Sequence, residues 1–288
     1  MRDGTTVALV TGANTGIGRA TALDLARRGL LVFVASRSRE KGREAVAAIR
    51  EATGSAQVEL LELDLGSLAS VRRAADAFLA TGLPLHLLVN NAGVAGQRGL
   101  TADGFELHFG TNHLGHFLLT QRLLPRLVAS APARIVNVAS KAHFDARGID
   151  WTVLERSTPS FTGLQEYAVS KLCNVLFTQE LARRLAGTGV TVYALHPGVV
   201  ASDAWRRIPW PIRPLVTRRM ISNQEGARTT LHCATSEEAG RESGLYYDRC
   251  APKAPLPLAN DAALAAELWA RSEAFLAARG GAAATAIC

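Results

Sequence analysis

Tyr167 and Lys171 stand four residues apart in Tyr167-Ala168-Val169-Ser170-Lys171, a spacing that puts both on one face of a helix. A free phenol ionises near pH 10, so drawing its proton off near neutrality takes roughly 4 kcal/mol. A neighbouring ammonium stabilises the phenolate, which is the physical use a lysine has there. Tyr167 can then give or take the proton of a carbonyl or alcohol oxygen as general acid/base. Alone, the pair also fits a core tyrosine beside a surface lysine, and other groups must decide.

A second group of residues stands near the N-terminus, in Thr11-Gly12-Ala13-Asn14-Thr15-Gly16-Ile17-Gly18. Glycines at this spacing allow a tight turn and close approach of the backbone to a pyrophosphate, and a helix starting there offers N–H groups and the positive end of its dipole. A glycine loop on its own is also an ordinary turn. Its place between an apolar run and an amphipathic stretch makes Gly12, Asn14, Thr15, Gly16, Ile17 and Gly18 candidates for cofactor contact. Dinucleotide sites that take NAD usually carry an acid after the second strand. Here the stretch is Val34-Ala35-Ser36-Arg37-Ser38-Arg39, without a carboxylate. Arg37 can face a 2′-phosphate that an aspartate would repel, with Arg19 as a second cation. Either arginine alone reads equally as solvated surface; the missing acid and the two arginines together point to NADP(H).

These groups need elements to hold them. Apolar runs at residues 6–10, 31–35, 58–63, 85–89, 134–138 and 190–195 read as strands. They alternate with helical patterns at 18–28, 39–52, 68–79, a stretch through 118–127, and 167–185. Near-continuous apolar strands separated by helices imply an α/β fold, a doubly wound, Rossmann-like parallel sheet with helices on both faces. A helix at 224–234, a last strand at 244–247 and a helix at 261–278 follow. Residues 201–222 mix Trp205 and Trp210 with prolines and arginines, the composition of a substrate lid. Residues 280–288 are small and expected to fray. No repeat or linker divides the chain, so one domain over 1–288 is expected.

Composition narrows the classes. The 288 residues are 48% hydrophobic, with a formal net charge of +7 spread along the chain. Without a basic cluster interleaved with aromatics, nucleic-acid binding is not expected. No apolar run reaches the roughly 18–20 residues that cross a bilayer, and no leader or transmembrane anchor is read. Cys173, Cys233, Cys250 and Cys288 are scattered, which fits reduced thiols and a cytoplasmic location. His113, His116, His143 and His196 form no metal pair with a carboxylate, so no metal is expected. These histidines are expected to pack around the cofactor crevice.

The motifs do not stand alone. The glycine loop, Asn90-Asn91-Ala92-Gly93, Ser140, the Tyr167/Lys171 pair and Pro197-Gly198 together resemble the short-chain dehydrogenase/reductase family over residues 5–247. The resemblance implies hydride transfer between a nicotinamide and a carbonyl or alcohol carbon. It implies that Ser140 positions and polarises the substrate oxygen, Tyr167 is the acid/base, and Lys171 also grips the nicotinamide ribose. Asn112 would anchor a water that relays protons through Lys171. Asp64 and Leu65 match the adenine contact, and Asn90, Ala92 and Gly93 line the cofactor. Pro197, Gly198, Val200 and Ser202 match the stretch beside the nicotinamide amide, with Ser202 where a threonine is common.

Within that family, Asn112-His113-Leu114-Gly115-His116-Phe117, Ser170-Lys171-Leu172-Cys173-Asn174 and His196-Pro197-Gly198-Val199-Val200 look like the retinol dehydrogenase branch. So does the gap of 27 positions from Ser140 to Tyr167 (167 − 140). The branch implies small lipophilic carbonyl or alcohol substrates of retinal type, with reduction as the direction. A polar or secondary-metabolite ketone is the alternative substrate. A non-catalytic NADP(H) sensor is the alternative class, set against the presence of Asn112, Ser140, Tyr167 and Lys171 together. The likeness departs at Ala139, where a serine is common. Cys173 stands where light-dependent protochlorophyllide reductase has a cysteine, so a proton-donor role and a plain packing role are both open. Family habit implies a homodimer or homotetramer joined through the Tyr167 helix and its neighbour, although nothing in the residues fixes this and a monomer is also compatible.

Overall fold

A computed structural model describes residues 6–198 and 221–280. The first strands are short and apolar throughout: β1 (Val7–Thr11), β2 (Leu31–Ser36) and β4 (Leu87–Asn90) are buried at every position. With β3 (Val58–Glu62), β5 (Ala133–Val138), β6 (Val190–His196), β7 (Leu245–Asp248) and β8 (Ala251–Pro252), they form one eight-stranded sheet in the order β3-β2-β1-β4-β5-β6-β7-β8. The first seven strands run parallel, as the sequence predicts, while β8 pairs antiparallel with β7. Two residues that follow left-handed Arg249 and Cys250 are too short a run to carry any strand signal.

Successive side chains of a strand face opposite sides, and here each side feeds its own core. Val7, Leu9, Leu31 and Phe33 join one cluster; Ala8, Val10, Val32 and Val34 join the other. Helices α1 (Gly16–Arg27), α2 (Arg39–Thr53) and α6 (Asn223–Thr235) cover the second face. Helices α3 (Leu68–Ala80), α4 (Gly115–Ala129), α5 (Leu164–Arg184) and α7 (Ala262–Ala278) cover the first. Several helix starts follow from side-chain caps: Ser38, Ser67, Ser222 and Asp261 accept backbone N–H bonds at α2, α3, α6 and α7. Of the expected lid, only Ile221 and Ser222 are among the described residues. Trp205 and Trp210 lie outside them, and so does the expected fraying tail beyond Gly280.

Two features were not legible in the sequence. A π-helical turn, Phe109–Leu114, precedes α4 and carries Asn112; such wide turns recur at functional sites. Helix α7 lies against α5, with Trp269 5.0 Å from the ring of Phe117 in α4 and 5.9 Å from Phe177 in α5. The Arg184 guanidinium stacks 4.1 Å over Trp269. Over this stretch α7 covers part of the outer surface of α4 and α5.

Candidate active site

In the sheet order, β1 stands between β2 and β4, so the crossovers leave β1 in opposite directions. A crevice opens there at the carboxyl ends of the strands, where open α/β sheets bind ligands. Gly12 takes φ +66° immediately after β1, a conformation that favours glycine. A Cβ on Gly18 would lie 2.5 Å from the Gly12 carbonyl oxygen and 2.5 Å from Asn91 Nδ2. The loop is thus closed against the first turn of α1 as tightly as its residues permit. That turn contains no acidic residue, and the N–H groups and dipole of a helix start favour an anion.

Gly12, Asn14, Thr15, Gly16, Ile17, Gly18, Arg37, Asp64, Leu65, Ala92 and Gly93 all line this one crevice, whose volume is about 470 Å³. Asn91, Ser36, Ser38 and Lys41 line it as well, although the sequence raised no expectation for them. Lys41 sits in the first turn of α2 and adds a second cation beside Arg37. Arg19, the other arginine the sequence offered, is exposed on α1 and is not among the residues that line the crevice. Asp64 turns its carboxylate onto the backbone N–H of Gly66 at 2.9 Å, fixing its own loop. Asn90 is also placed differently from expectation. Its amide is buried and donates to Thr120 Oγ1 at 3.0 Å and Asn137 Oδ1 at 2.8 Å, tying β4 to α4 and β5. The residue that reaches the crevice is Asn91, whose Nδ2 donates to the Thr11 carbonyl at 2.8 Å. A strand end one residue later than the sequence pattern suggested accounts for the exchange. A crevice with a helix N-terminus at its loop, two cations at the end of β2 and no acid at that strand end fits a phosphorylated dinucleotide.

The second half of the site meets this crevice at Gly93. A Cβ there would stand 3.2 Å from Asn112 Oδ1 and 3.5 Å from Lys171 Nζ. Asn112 grips the same rim from the π-turn: Oδ1 accepts from Val94 N at 2.8 Å, and Nδ2 donates to the Val94 carbonyl at 2.9 Å. Its Nδ2 also donates to Ser170 Oγ at 3.0 Å, and Ser170 caps back to the Tyr167 carbonyl. Helix α5 begins at Leu164, three residues before the predicted start, behind left-handed Gly163. Tyr167 therefore occupies its first turns and Lys171 follows one turn on, with Nζ 5.6 Å from the phenol ring centroid. Lys171 is buried and donates to the Val138 carbonyl at 2.9 Å.

Ser140 follows β5 and lies within hydrogen-bonding reach of the Tyr167 hydroxyl. His143 steadies it, since His143 Nδ1 contacts the Ser140 carbonyl at 2.6 Å while Nε2 accepts from Leu256 N at 3.1 Å. The structure thus brings Asn112, Ser140, Tyr167 and Lys171 into one cluster. Pro197 and Gly198 end the adjoining β6 segment, with Gly198 at φ +92° against Ile221. Val200 and Ser202 lie outside the described residues.

Burial pushes the Tyr167 phenol above its usual pKa, and the Ser140 hydrogen bond only partly offsets this. Burial also holds the Lys171 ammonium down to about 8. Tyr167 is consequently a proton donor at neutral pH. The histidines also divide. His116 and His196 back the crevice and the strand end beside Ser140, while His113 points into the aromatic cluster with Phe109 and Phe117. Cys173 is fully buried and its thiol pKa is driven far up by desolvation, which supports packing rather than proton transfer.

Fold and site together define a dinucleotide crevice joined to a half-buried acid/base group. Residues 6–210 match the short chain dehydrogenase family, and the chain belongs to that family. It is an oxidoreductase acting on alcohol or carbonyl carbons. It is similar to retinol dehydrogenase 12 of Homo sapiens, 47% identical over 270 residues, covering 91% of this chain and 84% of that one. Among solved structures, an uncharacterised protein from Mycobacterium paratuberculosis superposes with TM-score 0.75 at 38% identity, covering 94% of this chain and 93% of the other. Pseudomonas aeruginosa RhlG, solved as an NADP active-site complex, gives TM-score 0.70 at 28% identity over 85% of this chain and 95% of its own. No helix among the described residues is long and apolar enough to cross a membrane.

Proposed function

We propose that this chain reduces small lipophilic aldehydes or ketones of retinal type, with NADPH as hydride source. The observation that carries the reading is the meeting of Asn112, Tyr167 and Lys171 with the dinucleotide crevice at Gly93. Likeness to human retinol dehydrogenase 12 supports the substrate class, and the Arg37/Lys41 pair with the NADP complex of RhlG supports the cofactor.

When bound, the reduced nicotinamide supplies a hydride to the carbonyl carbon. Tyr167 gives its phenolic proton to the oxygen, so the product leaves as an alcohol. Its raised pKa keeps that proton in place at neutral pH. Ser140, within reach of the same hydroxyl, polarises the substrate oxygen by hydrogen bonding. Lys171, charged below about pH 8, stabilises the phenolate left behind. Asn112 holds the Val94 rim and, through Ser170, the first turns of α5. Residues 201–222 are assigned to the substrate lid, and three described cysteines without disulfides suit a cytoplasmic location. The test is oxidation of NADPH, or NADH, by purified protein with retinal, decanal and steroid ketones. NADPH turnover well above NADH is expected; a preference for NADH overturns the cofactor assignment, and no turnover with any carbonyl overturns the reductase reading.

A further inference from the structure

His116 lies in the first turn of α4, behind the crevice rather than in it, and only 3% of its surface is exposed. Nδ1 contacts the backbone carbonyl of Asn112 at 3.0 Å, and Nε2 contacts Thr11 Oγ1 at 2.9 Å. Thr11 Oγ1 in turn accepts from Asn91 N at 2.9 Å and Ala92 N at 3.0 Å. A carbonyl oxygen only accepts, so the Asn112 contact requires the proton on Nδ1. Burial beside Lys171 holds the imidazole pKa down to about 4, so the ring is neutral and Nε2 carries a lone pair. Thr11 must then donate its hydroxyl to Nε2, since its one other acceptor, the Val89 carbonyl, is 3.4 Å away. Both lone pairs of the hydroxyl are already taken by the two amides, and one direction satisfies every partner.

The chain of bonds therefore runs from the Asn91 and Ala92 amides through Thr11 and His116 to the Asn112 carbonyl. It joins three segments with no covalent proximity: the end of β1, the crevice rim after β4, and the π-turn. We propose that His116 is a positioning residue, a neutral two-ended spacer that sets the cofactor rim at Ala92 and Gly93 in register with Asn112 and Lys171. The proposal rests on the reductase reading above for its catalytic consequence, but its binding consequence stands apart from it. Sequence alone offers only a histidine four residues after Asn112; the link to Thr11 is 105 positions away.

The two ends can be tested separately. His116→Asn places an amide near Nδ1 and keeps the Asn112 end; His116→Gln reaches toward Nε2 and keeps the Thr11 end. With His116→Asn, the NADPH dissociation constant, read by protein fluorescence, is expected to rise about fivefold, while kcat at saturating NADPH stays within about twofold. With His116→Gln the pattern reverses: dissociation constant within about twofold, kcat down about fivefold or more. A residue that merely filled space would lower the melting temperature of both variants and leave both constants of the folded protein unchanged; that result overturns the proposal. Nitrogen NMR of wild-type protein labelled at histidine must show the Nδ1–H tautomer for His116 at pH 7; an Nε2–H tautomer overturns it even where neither variant folds. If wild-type protein turns over no carbonyl, the reductase reading fails, while the NADPH constants and the tautomer still decide the role of His116.

Discussion

Lowering the pH from 7 to 5 should unfold this protein far more readily than its surface carboxylates would suggest. His113 is held down to about 3 and His116 and His196 to about 4, each by burial. An unfolded histidine takes its proton near pH 6.5. Between 6.5 and those lowered values the unfolded chain binds more protons than the folded one, so stability falls as pH falls. At pH 5 each of the three contributes a loss of at most about 2 kcal/mol, a ceiling near 6 kcal/mol in total. Half of that ceiling is a large part of the 5–15 kcal/mol that stabilises a typical domain. Lys171 adds nothing in this window, because it is protonated in both states below about pH 8. Glu106, lowered by its bonds to His108 and Thr158, acts only below the usual carboxylate range. The assay is the urea midpoint of ligand-free protein at pH 7, 6 and 5. A midpoint that falls by about 1–2 M over that range is expected for a loss of roughly 3 kcal/mol. A midpoint unchanged between pH 7 and 5 would refute the claim that these histidines are buried neutral.

Arg37→Ala should weaken NADPH binding by about 10- to 100-fold, as loss of a charge-assisted contact does. NADH binding should change little, a contrast read by fluorescence titration with both cofactors. Cys173→Ala should leave kcat within about twofold of wild type, since a desolvated thiol packs rather than reacts; a large loss in steady-state kinetics would reinstate a chemical role. Trp269→Ala removes the contact of α7 with Phe117 and Phe177. Truncation of a buried tryptophan should cost about 3–5 kcal/mol in urea unfolding.

The parallel sheet was legible because β1, β2 and β4 are buried on both faces and so read as unbroken apolar runs. The glycine loop and the Tyr167/Lys171 pair were legible because their chemistry is local, set by spacing on one turn or one helix face. What the sequence concealed was set by contacts between distant segments. Asn90 and Asn91 are adjacent, and only the register of β4 against β5 decides which amide faces the sheet and which the crevice. The π-turn depends on one extra residue accommodated within a helix, which leaves no hydrophobic signature. The cover that α7 lays over α4 and α5 is a tertiary choice among apolar helices that periodicity cannot rank. Tyr167 differs again: burial, invisible in one dimension, raises the pKa of its phenol.

The most direct measurement is single-turnover NADPH oxidation with a carbonyl substrate, comparing wild type with Tyr167→Phe at matched cofactor occupancy. The aromatic ring and its packing survive this substitution, and the hydroxyl that carries the proton is removed. NADPH affinity should stay within about twofold while the rate of hydride transfer falls by about 100-fold or more, the scale of a lost general acid. Turnover by Tyr167→Phe at the wild-type rate would contradict the account, because the proton would then reach the substrate oxygen by another route.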